Sequence, residues 1–297
     1  GDRNDAAYTF QIGLTNPEGS PEVEGAHKFA ELVAEKSNGQ IRIEVFSNGA
    51  LGGERDMLEG MKMGAPEMVV TGDAVFGMFT PQYTAFTMPF LIEDTKHLDN
   101  VLLGEIGEEV NEAFHEVLNA KMLSVWHRGP RNLSAKREIK TPDDLNHMKL
   151  RVPETPMSIA AWEVLGANPT PMAFTELFVA LEQNTVEGQE NPLELIYNAK
   201  FYEVQSHVML TEHLVAPFLV MMNNDKFNEL PENLQNALLE ALEEARLFVN
   251  DLVADSDEKY IELLKEEGVE IVEVDRDAFK KKIEESGLAE RFEKEWA

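Results

Sequence analysis

Residues 8–13, Tyr-Thr-Phe-Gln-Ile-Gly, and residues 41–46, Ile-Arg-Ile-Glu-Val-Phe, decide the fold class of this chain. In both stretches apolar and polar side chains alternate, which is the period of a β-strand. Between the two stretches, Phe29, Leu32 and Val33 fall on one face of a helical pattern. A strand, a helix and a second strand in this order predict an α/β unit with a mostly parallel sheet.

The same order of elements recurs along the chain. A helical pattern and a short apolar strand at 68–70 follow, and a second set of α/β units begins with the strand at 121–126. In parallel α/β sheets, ligands bind beyond the carboxyl ends of the strands. We therefore expect three loops to lie together at those ends, namely 14–20, 47–54 and 71–76.

The second half of the chain continues the α/β pattern. It predicts a strand at 148–152 and a loop at 186–192. A long acidic helical pattern then runs from Pro231 to about Glu267 and is broken softly near residues 255–257. Because the chain contains two similar blocks of α/β units, we predict two lobes, and the long helix is expected to span both.

Composition excludes several classes of protein. The 297 residues include 26 Lys plus Arg against 55 Asp plus Glu, so the formal charge is −29. Binding to phosphate backbones needs clustered cations, so nucleic acid is not expected as a partner. No stretch approaches the ~20 uninterrupted apolar residues of a membrane span. The absence of cysteine excludes disulfides, thiolate nucleophiles and cysteine-ligated metals.

Motifs for catalysis or for cofactors are missing from the sequence. It has no Gly-x-Gly-x-x-Gly, no Gly-Lys-Ser/Thr and no Gly-x-Ser-x-Gly, and its seven histidines are scattered without an i, i+4 pair. We therefore expect no cofactor and no metal site. An α/β enzyme that acts on a small carboxylate is the alternative from another functional class, but no nucleophile with a base supports it.

Three arginines are informative because cations are scarce. Arg128, Arg131 and Arg151 flank the ends of predicted strands in the second block. Alternation places Lys149 and Arg151 on the same face of one strand, and alternation alone favours an exposed face. However, Arg151 leads directly into Pro153 at the carboxyl end of that strand. A planar guanidinium in this place is suited to bidentate recognition of a carboxylate.

Several short motifs in a fixed order carry a family resemblance. They are Leu51-Gly-Gly-Glu-Arg55, Thr141-Pro-Asp-Asp-Leu145, Leu150-Arg-Val-Pro153, Leu165-Gly-Ala-Asn-Pro-Thr-Pro-Met172, Phe174-Thr-Glu-Leu177, Ala180-Leu181, Gly188-Gln-Glu-Asn-Pro192 and Phe201-Tyr-Glu-Val-Gln205. Together they resemble the substrate-binding proteins of tripartite ATP-independent periplasmic (TRAP) transporters, the DctP family. The resemblance covers almost the whole chain.

The resemblance implies a two-lobed α/β fold of the periplasmic-binding-protein type, with a long helix that spans both lobes. In this fold the lobes close over an organic acid like a flytrap. We expect the first lobe at residues 1–127 plus about 217–256, and the second at residues 128–216 plus about 257–297.

The resemblance also implies ligand contacts in the second lobe. Arg151 matches the arginine that pairs with the ligand carboxylate. Arg131 matches a second anion contact, with Arg128 as the alternative. Asn191 is expected to form a hydrogen bond with the same end of the ligand, and Phe174 is expected to pack beside it.

In the first lobe, the positions that resemble ligand contacts are Thr15, Glu54 and the Thr71-Gly-Asp73 turn with Asp73. Members that bind sialic acid carry a longer polar side chain in place of Thr15 and a glutamate in place of Gly72. This chain departs at both positions. Sialic acid is therefore not the expected ligand.

Taken with the missing catalytic motifs, the resemblance predicts a periplasmic receptor that is not an enzyme. It would bind a small organic acid by lobe closure and deliver it to a TRAP membrane permease. The expected ligand is a sugar acid or a short hydroxy or keto acid, with an aromatic acid as the alternative. We further expect a monomer, exported through a cleaved signal peptide that is not part of this sequence.

Overall fold

Strands and helices alternate through the chain, as the sequence predicts. The computed structural model describes residues 5–296, with side chains to residue 294, so residues 1–4 and 297 of the predicted lobes lie outside the described part. The strands are β1 (Tyr8–Gly13), β2 (Ile41–Phe46), β3 (Met68–Thr71), β4 (Ala120–Trp126), β5 (Arg131–Ala135), β6 (Lys149–Val152), β7 (Asn168–Pro171), β8 (Gly188–Pro192), β9 (His207–Leu214), β10 (Phe218–Asn223) and β11 (Glu270–Val272).

The α-helices are α1 (Pro21–Lys36), α2 (Glu54–Lys62), α3 (Ala74–Phe79), α4 (Thr95–Leu102), α5 (Glu105–Leu118), α6 (Pro156–Val164), α7 (Leu177–Glu182), α8 (Leu193–Asn198), α9 (Asn224–Asn228), α10 (Glu232–Val253), α11 (Ser256–Glu266), α12 (Arg276–Glu285) and α13 (Leu288–Trp296). Short 3-10 helices lie at Pro81–Thr87, Pro142–Leu145, Phe174–Glu176 and Phe201–Glu203.

The chain folds into two units. Unit 1 consists of Gly1–Gly72, Asp99–His127 and Pro217–Ala254. Its five-stranded sheet has the order β2-β1-β3-β10-β4, in which β1 is parallel to β2 and β3 while β10 is antiparallel to its neighbours. Helices α1 and α10 pack on this sheet, and an apolar core lies between the helices and the sheet. They approach so closely that a Cβ on Gly25 would lie 2.3 Å from Val249 Cγ2, so only glycine fits there.

Unit 2 consists of Asp73–Leu98, Arg128–Ala216 and Asp255–Ala297. Its six-stranded sheet has the order β11-β9-β5-β8-β6-β7. Strand β5 is antiparallel to both β8 and β9, whereas β6 is parallel to β7 and β8. The sheets of both units are therefore mixed rather than mostly parallel, because β10 in unit 1 and β5 in unit 2 run antiparallel to the strands on either side of them.

Residues 73–98 belong to unit 2, whereas the division predicted from the sequence places them in the first lobe. Helix α3 begins one residue after the crossover between Gly72 and Asp73, and its Gly77 lies against Thr155 of unit 2. The side chains of Met88 and Phe90 pack on the apolar core of unit 2. The order of strands and helices in the sequence does not predict that the chain passes from one unit to the other within the loop after β3.

The long helical pattern at 231–267 forms two helices. Helix α10 ends at Val253 in unit 1, and α11 begins at Ser256 in unit 2. Asp255 adopts a left-handed backbone with φ of 57° between them, next to the predicted soft break. Among the described helices, none is both long enough and apolar enough to cross a membrane.

The prediction of a loop at 186–192 is wrong over most of that range. Residues Gly188–Pro192 form β8, and all five are buried between β5 and β6. The pattern of the sequence misses this strand because it has no apolar alternation. Its polar side chains are buried instead, and they find partners on neighbouring strands.

Candidate functional site

In unit 1, the loops that follow β1 and β2 meet at the carboxyl ends of these parallel strands. Asn48 donates its backbone N–H to the backbone oxygen of Asn16 at 2.7 Å. Thr15, a predicted ligand contact, lies in the first of these loops and is buried. The predicted meeting of these two loops is confirmed.

Glu54 joins the third loop to the same edge of the sheet. Its carboxylate accepts a hydrogen bond from the backbone N–H of Gly72 at 2.8 Å and another from Thr71 Oγ1 at 3.2 Å. Because Glu54 is the first residue of α2, this contact ties the start of that helix to the end of β3. The residues of unit 1 that were predicted as ligand contacts therefore line one edge of its sheet.

In unit 2, three neighbouring strands bring charged residues together. Arg131 begins β5 and lies opposite Pro192 of β8 on one side and Leu214 of β9 on the other. Glu190 lies two residues before that proline, and His213 lies one residue before that leucine. The strand order β8-β5-β9 thus places an arginine between a glutamate and a histidine.

These three side chains are bonded to one another. Arg131 donates to the Glu190 carboxylate through Nε at 2.5 Å and through Nη2 at 2.8 Å, and Nη2 also contacts the backbone oxygen of Glu190 at 2.9 Å. His213 Nε2 lies 2.7 Å from the same carboxylate, and its Nδ1 lies 2.7 Å from Thr211 Oγ1. These three side chains and that of Thr211 are all at least 95% buried. This geometry fixes the plane of the Arg131 guanidinium.

Asp73 and Arg128 extend this group. One oxygen of the Asp73 carboxylate lies 3.4 Å from Arg131 Nη1 and 3.8 Å from Arg128 Nη1. Both additional residues are 3% exposed. We call Asp73, Arg128, Arg131, Glu190 and His213 the charge cluster. Its two arginines and its two carboxylates carry equal and opposite formal charges.

The charge cluster keeps Glu190 ionised. Burial by itself raises the pKa of this carboxyl, but the positive charge of Arg131 and the hydrogen bond with His213 outweigh burial. The net result lowers the pKa of Glu190 from 4.5 to about 2. The carboxylate therefore stays charged at every physiological pH and remains a permanent partner of Arg131.

Arg151 is held by a different contact. It lies on β6, opposite Thr170 of β7, and its Nε donates to the backbone oxygen of Met172 at 2.9 Å. Its exposed fraction is 5%. The structure thus excludes the exposed strand face that alternation alone favours, and it shows a guanidinium whose plane is set by the main chain.

Asn191 belongs to a row of buried polar side chains. Its Nδ2 donates to Gln189 Oε1 at 2.7 Å, Gln189 Nε2 donates to Ser134 Oγ at 2.7 Å, and Ser134 Oγ donates to Gln205 Oε1 at 2.7 Å. Each bond joins neighbours on β8, β5 or the segment before β9. The row orients the amide of Asn191, because its Nδ2 is fixed by Gln189.

Phe174 is half-buried at the start of a 3-10 helix. Its ring centroid lies 5.8 Å from that of Phe201, and both rings pack in one apolar cluster of unit 2. One side of the Phe174 side chain therefore packs against this apolar cluster, while another part of the side chain is exposed to solvent.

The structure groups the predicted residues as follows. Thr15 and Glu54 lie in unit 1, while Asp73, Arg128, Arg131, Arg151, Phe174 and Asn191 lie in unit 2. The scattered histidines of the sequence do not predict the buried pairing of His213 with Glu190. The assignment of β8 and β9 as neighbours of β5 would have revealed it.

The arrangement is suited to holding an anion. It offers oriented guanidinium and amide donors in buried positions, where electrostatic interactions are stronger than in water. Among the side chains that the structure describes, no group of three or more His, Asp or Glu is placed to hold a metal ion.

Comparisons with known proteins identify the family of this chain. A family model described as bacterial extracellular solute-binding protein, family 7 (DctP), matches residues 12–294. The 2,3-diketo-L-gulonate-binding periplasmic protein YiaO of Escherichia coli is 35% identical over 276 residues, which are 92% of this chain and 84% of the relative.

Solved structures give the same result. A TRAP periplasmic solute-binding protein of Roseobacter denitrificans with bound L-galactonate matches with a TM-score of 0.92 at 35% identity, over 96% of this chain and 94% of that one. One of Polaromonas with D-erythronate matches with a TM-score of 0.90 at 31% identity, over 97% and 96% of the two chains.

Proposed function

Since the chain belongs to family 7 of the bacterial extracellular solute-binding proteins, the DctP family, we propose that it binds a sugar acid or a short hydroxy or keto acid. The family consists of receptors of TRAP transporters, which bind small organic acids and work with membrane permease components. The chain is accordingly a solute-binding protein rather than an enzyme, and the enzyme alternative is wrong.

The observation that carries the ligand proposal is the buried guanidinium of Arg151. Its bond to the backbone oxygen of Met172 fixes the guanidinium plane. A carboxylate that meets Arg151 through both Nη atoms would form two charge-assisted hydrogen bonds, each worth about 1.5–3 kcal/mol. Two such bonds are a large part of the ~8 kcal/mol that micromolar binding requires.

Arg131 and Asn191 are proposed as further contacts of the same carboxylate. Glu190 is bonded to Nε and Nη2 of Arg131 and Asp73 lies 3.4 Å from Nη1, so both carboxylates hold the guanidinium that we propose as an anion contact. Arg131 is favoured over Arg128 for this role because Glu190 fixes the plane of its guanidinium. Phe174 would pack against the carbon chain of the ligand.

The chemical class of the ligand is supported by the relatives. The protein from E. coli is named for 2,3-diketo-L-gulonate, and the two solved structures hold L-galactonate and D-erythronate. All three compounds are hydroxylated acids with a single carboxylate, and they differ in length. Thr15 and Glu54 of unit 1 are proposed to contact the hydroxyl groups.

Location and assembly are proposed on the same basis. The relatives are periplasmic proteins, and we place this chain in the periplasm after removal of a signal peptide. We propose that it acts as a monomer and releases its ligand to a TRAP permease.

Calorimetric titration with L-galactonate, 2,3-diketo-L-gulonate and D-erythronate tests the proposal. At least one of these acids should bind with a Kd in the micromolar range or below. Arg151→Ala should weaken that binding by about 100-fold or more, since two charge-assisted bonds are lost. Arg151→Lys should bind more weakly than wild type, because an ammonium cannot form the same fork.

Arg246→Ala is the matched control. Arg246 is bonded to Glu243 on the surface of α10, so its removal should leave ligand affinity unchanged. No binding of any of the three acids would refute the proposed ligand class. Wild-type affinity in the Arg151→Ala variant would refute the role of Arg151.

A further inference from the structure

The row of buried polar side chains that ends at Asn191 begins at Gln205. Its members are Gln205, Ser134, Gln189 and Asn191, which we call the polar row, and each is at least 97% buried. Successive members are joined by hydrogen bonds of 2.7 Å. Asn191 is the member that we propose as a ligand contact, whereas Gln205 lies three hydrogen bonds away at the other end.

The main chain fixes the direction of the hydrogen bonds at Gln205. Its Nε2 lies 2.9 Å from the backbone oxygen of Val204 and 3.2 Å from that of Glu187. A carbonyl oxygen can only accept a hydrogen bond, so these two oxygens require the amide nitrogen of Gln205 and exclude its Oε1 from their side. Oε1 therefore faces Ser134, and it can only accept.

This direction passes along the whole polar row. Because Gln205 Oε1 can only accept, the hydroxyl of Ser134 donates to it and accepts from Gln189 Nε2. Gln189 Oε1 is then left to accept from Asn191 Nδ2. The reverse order would place Gln205 Oε1 against two main-chain oxygens with no proton between them, and unpaired polar atoms are costly in a buried place. The polar row thus has one permitted order of donors and acceptors.

This order decides what Asn191 offers to a ligand. One N–H of its Nδ2 is used by Gln189, which leaves the second N–H and Oδ1. A carboxylate can only accept, so it would take the second N–H. A side chain that is already held in the orientation of the complex favours binding, because ordering a free side chain costs free energy.

We infer that Gln205 and Ser134 are positioning residues that hold the amide of Asn191 in the orientation in which it binds the carboxylate of the ligand. This inference rests on the proposed function, in which Asn191 contacts the ligand. It extends the binding machinery to residues that act through hydrogen bonds with Gln189 and Asn191 rather than through a ligand contact of their own.

A double-mutant cycle measured by calorimetry tests the inference. The ligand is the one that the wild type binds most tightly among L-galactonate, 2,3-diketo-L-gulonate and D-erythronate. Gln205→Met removes the acceptor for Ser134, and Ser134→Ala interrupts the polar row at its second member. Each substitution should raise Kd about fivefold, since Asn191 is then no longer held in one orientation. In an Asn191→Ala background the same substitutions should leave Kd unchanged, because the group through which they act is absent.

Gln205→Glu separates positioning from stability. It keeps an acceptor oxygen for Ser134 but lacks the N–H groups that Gln205 donates to two main-chain oxygens. Its free energy of unfolding in urea should therefore fall, as in Gln205→Met, while its Kd should stay close to that of the wild type.

Ser37→Ala is the matched control for Ser134→Ala. Ser37 is a buried serine of unit 1, and its Oγ accepts a hydrogen bond from the backbone N–H of Ile41 at 3.0 Å. Its removal takes away a buried hydrogen bond outside the polar row and should leave Kd unchanged. Circular dichroism and thermal unfolding establish that each variant is folded.

The outcomes separate this inference from the proposed function. If Asn191→Ala weakens binding while Gln205→Met and Ser134→Ala do not, the inference is overturned and the proposed function stands. Equal losses in the presence and in the absence of Asn191 also overturn the inference, because the two residues would then act only on the fold. If Gln205→Glu binds as weakly as Gln205→Met, the required order of donors and acceptors is refuted.

Two results would reach further. If Asn191→Ala binds like the wild type, the proposed contact of Asn191 fails together with the inference. If the wild type binds none of the three acids, the proposed ligand class fails as well. A loss of affinity that disappears in the Asn191→Ala background, and that Gln205→Glu avoids, supports the inference.

Discussion

Replacement of Glu190 by glutamine should destabilise the protein in a manner that depends on pH. The pKa of Glu190 lies at about 2 in the folded chain, against 4.5 for the same group in solvent. Each pKa unit corresponds to 1.36 kcal/mol, so ionisation of Glu190 contributes about 3 kcal/mol to stability at neutral pH. Because glutamine also leaves the buried charge of Arg131 without its carboxylate, we expect a loss of about 3–5 kcal/mol at pH 7.

The sign of the pH dependence follows from the lowered pKa. A carboxyl with a depressed folded-state pKa stabilises the protein above its unfolded pKa, and this contribution is lost as pH falls through the folded value. Ionisation of Glu190 should therefore contribute about 3 kcal/mol at pH 7 and about 2 kcal/mol at pH 3.5. The stability gap between the wild type and Glu190→Gln should narrow by about 1 kcal/mol over this interval.

Urea unfolding at a series of pH values measures this gap. The other carboxylates titrate in both proteins and cancel in the difference between them. The fluorescence of Trp162 reports on unit 2, because its ring meets that of His213 edge-on with the ring centroids 5.0 Å apart. The exposed Glu59→Gln serves as control and should unfold like the wild type. A gap that is constant from pH 7 to 3.5 would refute the electrostatic account of the charge cluster.

Two further predictions concern the stability of unit 2 and the action of the ligand. Burial and the nearby charge of Glu212 raise the pKa of Asp257 to about 6, so its contribution to stability is lost as pH rises from about 4 through 6. After allowance for partial exposure, Asp257→Asn should be more stable than the wild type by about 1–2 kcal/mol at pH 7 and equally stable at pH 3.5, as measured by urea unfolding. A ligand at a hundredfold excess over Kd should stabilise the protein by about 2.7 kcal/mol. It should also reduce the radius of gyration in solution scattering if binding closes the lobes, and an unchanged profile would contradict closure.

Local patterns in the sequence predict much of unit 1. Strands β1 and β2 and helix α1 follow from periods of two and 3.6 residues, because each element has one apolar face toward the same core. The meeting of the loops after β1 and β2 follows as well, since parallel strands place their carboxyl ends at one edge. These features depend on residues that are close in sequence.

Unit 2 is less predictable because its central strand is polar. The residues of β8 are all buried, yet Gln189, Glu190 and Asn191 have no apolar period. Their burial is compatible with folding only because partners on other strands satisfy their hydrogen bonds, and a pattern of single residues contains no information about those partners. For the same reason the sequence pattern predicts a loop at 186–192 where the structure has a strand at Gly188–Pro192.

The candidate site shows where inference from sequence ends and geometry begins. The family resemblance names Arg151 as the arginine that pairs with the ligand carboxylate and Arg131 as a second anion contact, with Arg128 as the alternative. The structure distinguishes them, because Arg131 is bonded to Glu190, 59 residues away in sequence, and Arg151 is fixed by a main-chain oxygen. Only the adjacency of β5 and β8 in the sheet creates the first pairing. Because that pairing joins strands that are distant in sequence, the orientation of the Arg131 guanidinium is determined by the sheet topology and not by the motifs.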